Sequence, residues 1–295
     1  MNDTHNKSDK RSAWTVRKVL EWTTDYFKQK GISSPRLDAE ILLAYAMDVD
    51  RLYLYLNMDK PLSGSERDTY RRLVTRRSER EPTALITGKK EFWSIPLRVV
   101  PGVLIPRPDT ETLVEVVLDE ITGRSAPWIL ELGTGSGAVS IAVAHERPDA
   151  RILATDIDAT AAQLAKSNAQ NAGVSDRIDL VVTDLFSPFR LGMKFDVICS
   201  NPPYVPESVL ETLEPEIVLF EPRRGLTAGS DGLLFIREIA TRVPEFLADD
   251  GALIMEIGDD QAVEVQEILA SQGCFREIRL FPDLSGKPRV VKGKL

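Results

Sequence analysis

Apolar side chains at Val16, Val19, Leu20, Trp22 and Phe27 follow the spacing of one helical stripe and predict a helix over 16–30. Ser34 before Pro35 announces a second helix, with a cap residue ahead of proline at the first helical position, and Leu37, Ile41, Leu42 and Tyr45 form its apolar side. Ser65 with Asp68 fits a capping box for a third, with Tyr70, Leu73 and Val74 inside and Arg71, Arg72, Arg76, Arg77 and Arg80 mostly outside. These patterns predict a small helical domain over 1–86, and its polar first stretch, 1–12, reads as a frayed tail. Val, Ile, Trp and Phe interrupted by Pro and Gly over 87–108 predict a short hairpin and a linker. From Asp109 onward short apolar runs at 128–132, 151–155, 178–182, 195–200 and 252–257 are mostly separated by helical stretches. Such alternation predicts a parallel sheet covered by helices over 109–295, and the extended runs on either side of PDLSGKP predict a closing antiparallel hairpin.

The length of 295 residues fits about two domains, and 43% apolar with 28% charged content is that of an ordinary globular chain. No apolar run approaches the ~18 to 20 residues of a membrane span, and the polar N-terminus has no apolar signal core, so a cytoplasmic protein is expected. Cys199 and Cys274 alone make neither a disulfide framework nor a zinc site. The net charge of -8 conceals a division: residues 1–100 hold 19 Lys and Arg against 14 Asp and Glu, and the rest hold 18 against 31. This reads either as two modules with different partners or as a solvated helical surface.

Three features carry chemistry. Gly133-Thr134-Gly135-Ser136-Gly137 joins the first strand of the sheet region to its helix, where glycines admit a close ligand and helix-start amides suit a phosphate or carboxylate; a tight strand-to-helix turn is the alternative. Asp156 and Asp184 close the next two strands, where carboxylates can accept from ribose hydroxyls and an adenine amino group, or simply serve turns and caps. Together with the loop they point to an adenosine ligand. After the fourth strand comes Asn201-Pro202-Pro203-Tyr204, in which two prolines end the ladder and leave carbonyls without neighbouring donors. His5 in the tail and His145 on a helix surface offer no histidine catalysis, and no cluster has metal-ligand spacing.

With these residues in place, the sheet region resembles class I S-adenosylmethionine-dependent methyltransferases, and Asn-Pro-Pro-Tyr resembles the motif of those that methylate planar nitrogens. More narrowly, the chain resembles the peptide chain release factor glutamine methyltransferases, the PrmC or HemK family. The likeness runs through SPRLDAE from Ser34, IPRPDTE from Ile105, the glycine loop, Asn201 to Tyr204, Glu221-Pro222, Asp231-Gly232-Leu233, and Glu256-Ile257-Gly258 with Gln261. Asp109 replaces the family's usual glutamate, and Leu185 stands where some members carry tryptophan beside the adenine. The resemblance implies a Rossmann-like α/β fold, mostly parallel, behind a small N-terminal helical domain. It implies S-adenosyl-L-methionine held by Gly133, Thr134, Gly135, Ser136, Gly137, Asp156, Asp184, Leu185 and Asn201.

Catalysis would rest on Asn201, Pro202 and Tyr204. The Asn201 oxygen and the Pro202 carbonyl would accept the two N–H bonds of a substrate amide, with Pro203 stiffening the loop and Tyr204 packing on the amide plane. Arg107 and Glu111 would order the substrate lip. The implied partner is a class I release factor carrying a Gly-Gly-Gln loop, bound by a monomer, with no membrane and no direct nucleic-acid contact. Three alternatives stand beside this: a ribosomal-protein glutamine methyltransferase, a nucleic-acid adenine methyltransferase, for which the acidic sheet region is unsuited, and a non-enzymatic adenosine-binding module.

Overall fold

Thr15 receives the Lys18 amide on its side chain and starts the first helix, α1 (Val16–Gln29), in the computed structural model of the protein, which describes residues 14–190 and 192–295. The expected frayed tail over 1–12 lies outside the described residues. The chain divides into two units after Gly88. The first unit continues with α2 (Pro35–Met47), α3 (Arg51–Leu56), α4 (Gly64–Ser78) and α5 (Thr83–Thr87). Leu20, Phe27, Leu42, Leu43, Leu54 and Leu73 meet in one apolar cluster.

Three local expectations are corrected here. The capping box belongs to Ser63 and Glu66, not Ser65 and Asp68: the Glu66 carboxylate reaches back to the Ser63 amide at 2.6 Å, and the Glu66 amide donates to the Ser63 hydroxyl at 3.2 Å. In α2 the buried side is Ala39, Leu42, Leu43, Ala44 and Met47, which leaves Leu37 and Tyr45 exposed. Trp22 is likewise 54% exposed, stacked on Tyr26 instead of packed in the core. The arginines of α4 are not a uniform outer face. Arg77 is buried and donates to Asp38 at 2.7 Å, and Arg76 is tied to Glu81, so internal carboxylates consume part of the basic stripe.

The second unit opens with the antiparallel pair β1 (Lys89–Phe92) and β2 (Ile95–Arg98). It continues through α6 (Glu111–Glu120), β3 (Trp128–Leu132), α7 (Ala138–Glu146), β4 (Arg151–Asp156), α8 (Ala159–Asn171), β5 (Ile178–Val182), β6 (Phe195–Ser200), α9 (Pro215–Phe220), α10 (Leu234–Arg242), β7 (Leu247–Glu256), α11 (Ala262–Ser271), β8 (Glu277–Pro282) and β9 (Pro288–Lys294). Seven strands form one sheet in the order β5-β4-β3-β6-β7-β9-β8. The first five in that row run parallel, and β9 is antiparallel to both its neighbours, β7 and β8, as the closing hairpin requires.

Alternation along buried strands sends one set of side chains to each face. Ile129, Ile152, Val197, Cys199 and Ile254 join the helices α6 and α7 in one apolar cluster, while Leu130, Leu132, Ile198, Leu253 and Met255 join α10 and α11 in the other. The strand order reverses direction between β3 and β6. In an open α/β sheet, the loops leaving neighbouring strands at such a switch point part to opposite faces and open a crevice at the carboxyl ends. Among the described residues no helix is long and apolar enough to cross a membrane.

Candidate active site

The crevice is a cleft of about 320 Å³, within the range of small-molecule sites. Its floor is set by a lattice of short bonds that joins the strand ends. The Thr134 amide donates to the Thr155 carbonyl at 2.8 Å, the Thr155 hydroxyl donates to the Glu131 carbonyl at 3.1 Å, and the Ser200 hydroxyl donates to the Leu132 carbonyl at 2.8 Å. These hold β3, β4 and β6 at fixed spacing where the ladder runs out.

Gly133, Gly135 and Gly137 all have positive φ, at 72°, 57° and 84°. Their roles differ. A Cβ on Gly133 or Gly135 would meet no atom within 4 Å, so both leave open space against the cleft for a ligand. A Cβ on Gly137 would sit 3.0 Å from the Ala165 Cβ and 3.1 Å from Ile141 Cδ1, so this glycine serves the packing of α7 on α8 and does not line the cleft. Thr134 and Ser136 do line it, although both are buried.

Asp156 ends β4 inside the cleft. Its Oδ2 accepts the Gly135 amide at 2.8 Å and its Oδ1 accepts the Asp158 amide at 2.8 Å, so it shapes the loop while each oxygen keeps a further lone pair. Burial raises its affinity for a proton, opposed mainly by the Gly135 amide and by Arg224. Asp184 and Leu185 line the same cleft beyond β5, with Leu185 held at a φ of 40°. Apolar walls, two facing carboxylates and a loop bare of Cβ atoms fit an adenosine compound with a charged tail.

Asn201, Pro202 and Pro203 follow β6 directly into this cleft. The Asn201 amide is held from behind, its Nδ2 donating to Thr110 Oγ1 at 3.1 Å. The loop is anchored at its other end as well. Gln261 Nε2 donates to the Tyr204 carbonyl at 2.9 Å, and Gln261 Oε1 accepts the Gly258 amide at 2.9 Å. Gly232 has to be glycine here, because a Cβ would stand 2.2 Å from the Tyr204 carbonyl oxygen.

Two further expected site residues stand elsewhere. The Tyr204 phenol turns away from the cleft and donates to Glu256 Oε1 at 3.2 Å, and its ring packs on the cluster that holds α10 and α11. Glu111 accepts the Trp93 amide at 2.9 Å and faces a separate surface hollow with His145 and Glu146, because the first turn of α6 points it toward the β1–β2 turn. Arg107 does line the cleft, paired with the buried carboxylate of Glu221. Arg224 on the same segment pairs with Asp158, so residues 221–224 are strapped beside the cleft at both ends.

Thr110 and Glu131 escaped the reading of the sequence as single residues. A threonine between two acids at a helix start reads as a cap, and a glutamate inside an apolar strand gives only one signal, the cost of burying it. Glu131 is 3% exposed, and its Oε2 receives the Thr134 hydroxyl at 2.7 Å and the Ser140 amide at 3.2 Å. Burial outweighs these bonds and pushes its pKa up to about 7, with Asp156 adding to the rise.

The folded protein therefore holds this proton to higher pH than the unfolded chain, whose carboxyl titrates near 4.5. Its contribution is full below that value and lost as pH rises through about 7, roughly 3 kcal/mol in all. Denaturant unfolding of Glu131→Gln and wild type from pH 4.5 to 8 is expected to show the variant gaining relative to wild type across that window. Parallel stability profiles would remove the buried proton from the account.

A seven-stranded sheet with β9 inserted antiparallel, a glycine loop after β3 and acids after β4 and β5 define a class I S-adenosylmethionine-dependent methyltransferase. Residues 108–236 match the methyltransferase small domain, and residues 18–88 match the PrmC N-terminal domain. The chain belongs to the release factor glutamine methyltransferase family. It is 43% identical over 282 residues to the release factor glutamine methyltransferase of Rhodopirellula baltica, covering 94% of this chain and 95% of that one. With the Geobacter sulfurreducens protein of the same name identity is 42% over 288 residues, covering 98% and 99%. Among solved structures, the hMettl16 catalytic domain in complex with MAT2A 3'UTR hairpin 1 shares the fold at a TM-score of 0.56 and 16% identity, over 75% of this chain and 80% of that one.

Proposed function

We propose that the protein transfers a methyl group from S-adenosyl-L-methionine to the side-chain amide nitrogen of a glutamine in a peptide chain release factor, that of the Gly-Gly-Gln loop of the class I factors. The observation that carries this reading is the placement of Asn201 and Pro202 in the same cleft as the glycine loop and Asp156. Gly133, Gly135, Asp156, Asp184 and Leu185 would hold the cofactor, whose sulfonium supplies an electrophilic methyl group.

An amide nitrogen is a weak nucleophile because its lone pair is shared with the carbonyl. Two neutral oxygens, Asn201 Oδ1 and the Pro202 carbonyl, suit its two N–H bonds and favour positive charge as it builds on nitrogen. Their effect is positioning together with preorganised electrostatics, each capable of several kcal/mol. A neutral asparagine does this without the desolvation cost of a further carboxylate. A strong base has no place in the scheme, since the alkylated amide sheds its proton readily. The helical unit would grip a second surface of the factor.

The test is incubation with methyl-labelled cofactor and, in turn, intact release factors, a peptide of the glutamine loop, ribosomal proteins and DNA, with the label located by peptide mass spectrometry. Label on the glutamine of intact release factor is expected, with the free peptide much slower. Label on DNA and none on protein defeats the proposal. Equal rates for peptide and intact factor would remove the docking role of the helical unit.

A further inference from the structure

The two prolines after β6 stiffen the loop that meets the substrate and also deprive it of anchors. Each fixes its own φ, and Pro203 restricts the rotation of Pro202 ahead of it, so Asn201, Pro202 and Pro203 move as one stiff piece. Neither proline has an N–H with which to tie that piece down. On its upstream side the Ser200 hydroxyl holds the chain to the Leu132 carbonyl at 2.8 Å. Downstream, the first free rotations lie past the prolines, at Tyr204, and a turn there swings the Pro202 carbonyl away from a substrate N–H.

The fold places its tethers at that point. The Val205 amide donates to the Leu226 carbonyl at 2.8 Å, and the Tyr204 phenol donates to Glu256. The Tyr204 carbonyl accepts from Gln261 Nε2 at 2.9 Å, and the same nitrogen reaches the Gly232 carbonyl at 3.4 Å. At the other end of this side chain, Oε1 accepts the Gly258 amide at 2.9 Å. A backbone N–H only donates and a carbonyl only accepts, so these three partners fix which way the Gln261 amide faces. Gln261 is 6% exposed, and the space around it is closed: a Cβ on Gly232 would overlap the Tyr204 carbonyl oxygen and stand 2.7 Å from Gln261 Nε2. Gln261 is not among the residues that line the cleft, so any effect it has on transfer passes through the loop.

We propose that Gln261 is a positioning residue of the transfer reaction, whose carboxamide locks the Tyr204 peptide and thereby aims the Pro202 carbonyl at one N–H of the substrate amide. The side chain has to accept at one end and donate at the other. An ionised carboxylate of the same shape meets Gly258 equally well but turns an oxygen toward two carbonyls, and a thioether meets none of the three. Misplacement of a contacting group by about 1 Å, caused by a change remote from the reacting atoms, costs up to ~100-fold in rate.

The inference rests on the amide-transfer reading, and the experiment separates the two. Full-length Q261M, Q261E and G232A are assayed on intact release factor for kcat and KM, with cofactor Kd and binding stoichiometry measured by calorimetry. Each is expected to lose at least ~10-fold in kcat, with cofactor Kd, stoichiometry and release-factor KM within about 3-fold of wild type. A wild-type protein that labels no amide defeats the functional reading, and this inference with it. Q261M at wild-type kcat, or a loss that follows cofactor stoichiometry as in a partly unfolded protein, defeats the positioning role alone. So does Q261E at wild-type kcat, because it keeps the Gly258 contact and loses only the donor to Tyr204. Should the glutamine variants fail to fold, G232A decides, since it presses on the same carbonyl oxygen from another residue, and wild-type kcat in G232A overturns the proposal.

Discussion

Asn201→Ala is expected to bind the cofactor within about 3-fold of wild type and to lose at least ~100-fold in turnover, the loss of about 3 kcal/mol of stabilisation realised as charge builds on the substrate nitrogen. The cofactor contacts expected of Gly133, Gly135 and Asp156 lie in the loop after β3 and at the end of β4, and do not depend on this side chain. The truncation removes the acceptor and leaves Thr110 without its donor, while Ser200 still ties the end of β6 to β3. Calorimetric titration with cofactor, followed by single-turnover methylation of release factor, checks both halves. Turnover within a few-fold of wild type would reduce Asn201 to a strand-ending turn residue. Equal loss of cofactor binding would place it in cofactor retention instead of transfer.

The second large effect concerns Asp156. Its carboxylate is expected to accept from ribose hydroxyls while already accepting the Gly135 and Asp158 amides, so Asp156→Ala removes ligand contacts and loosens the loop together. Hydrogen bonds to a charged acceptor contribute about 1.5 to 3 kcal/mol each, so the loss of two raises cofactor Kd by at least ~100-fold. At saturating cofactor, turnover is expected to remain within about 5-fold of wild type, since Asn201 and Pro202 keep their places. Asp156→Asn, which can still accept the Gly135 amide, should fall between the two. A Kd for Asp156→Ala near that of wild type would assign this carboxylate to loop shape alone.

Several parts of this protein were legible from residue order. The strands Trp128–Leu132 and Phe195–Ser200 stand where their apolar runs lie, because a central strand covered on both faces leaves little exposed to blur the signal. Helix faces were less legible. Leu37, Tyr45 and Trp22 fit an apolar stripe by spacing yet are exposed, because the side a helix buries depends on where its neighbours lie. The capping box expected at Ser65 and Asp68 lies instead at Ser63 and Glu66, whose carboxylate reaches back to the Ser63 amide. Arg77 looked like surface until a carboxylate 39 residues away, Asp38, was folded against it.

The site divides in the same way. Gly133, Gly135, Asp156 and Asn201 were identifiable as single residues, because each is placed by a strand that ends beside it, and a parallel sheet brings its carboxyl ends together whatever the distance along the chain. The fold class and an adenosine ligand follow from that local logic, and the family follows from the resemblance of motifs spread along the chain. The direction of side chains that leave the strand ends does not. Tyr204 turns to Glu256, Glu111 turns to Trp93, Gly137 packs α7 on α8, and Thr110 stands behind Asn201, 91 residues away. Backbone periodicity sets which residues reach the end of a strand. Which way their polar atoms face is decided by whichever donors and acceptors the rest of the fold buries next to them, and only the tertiary structure brings those together.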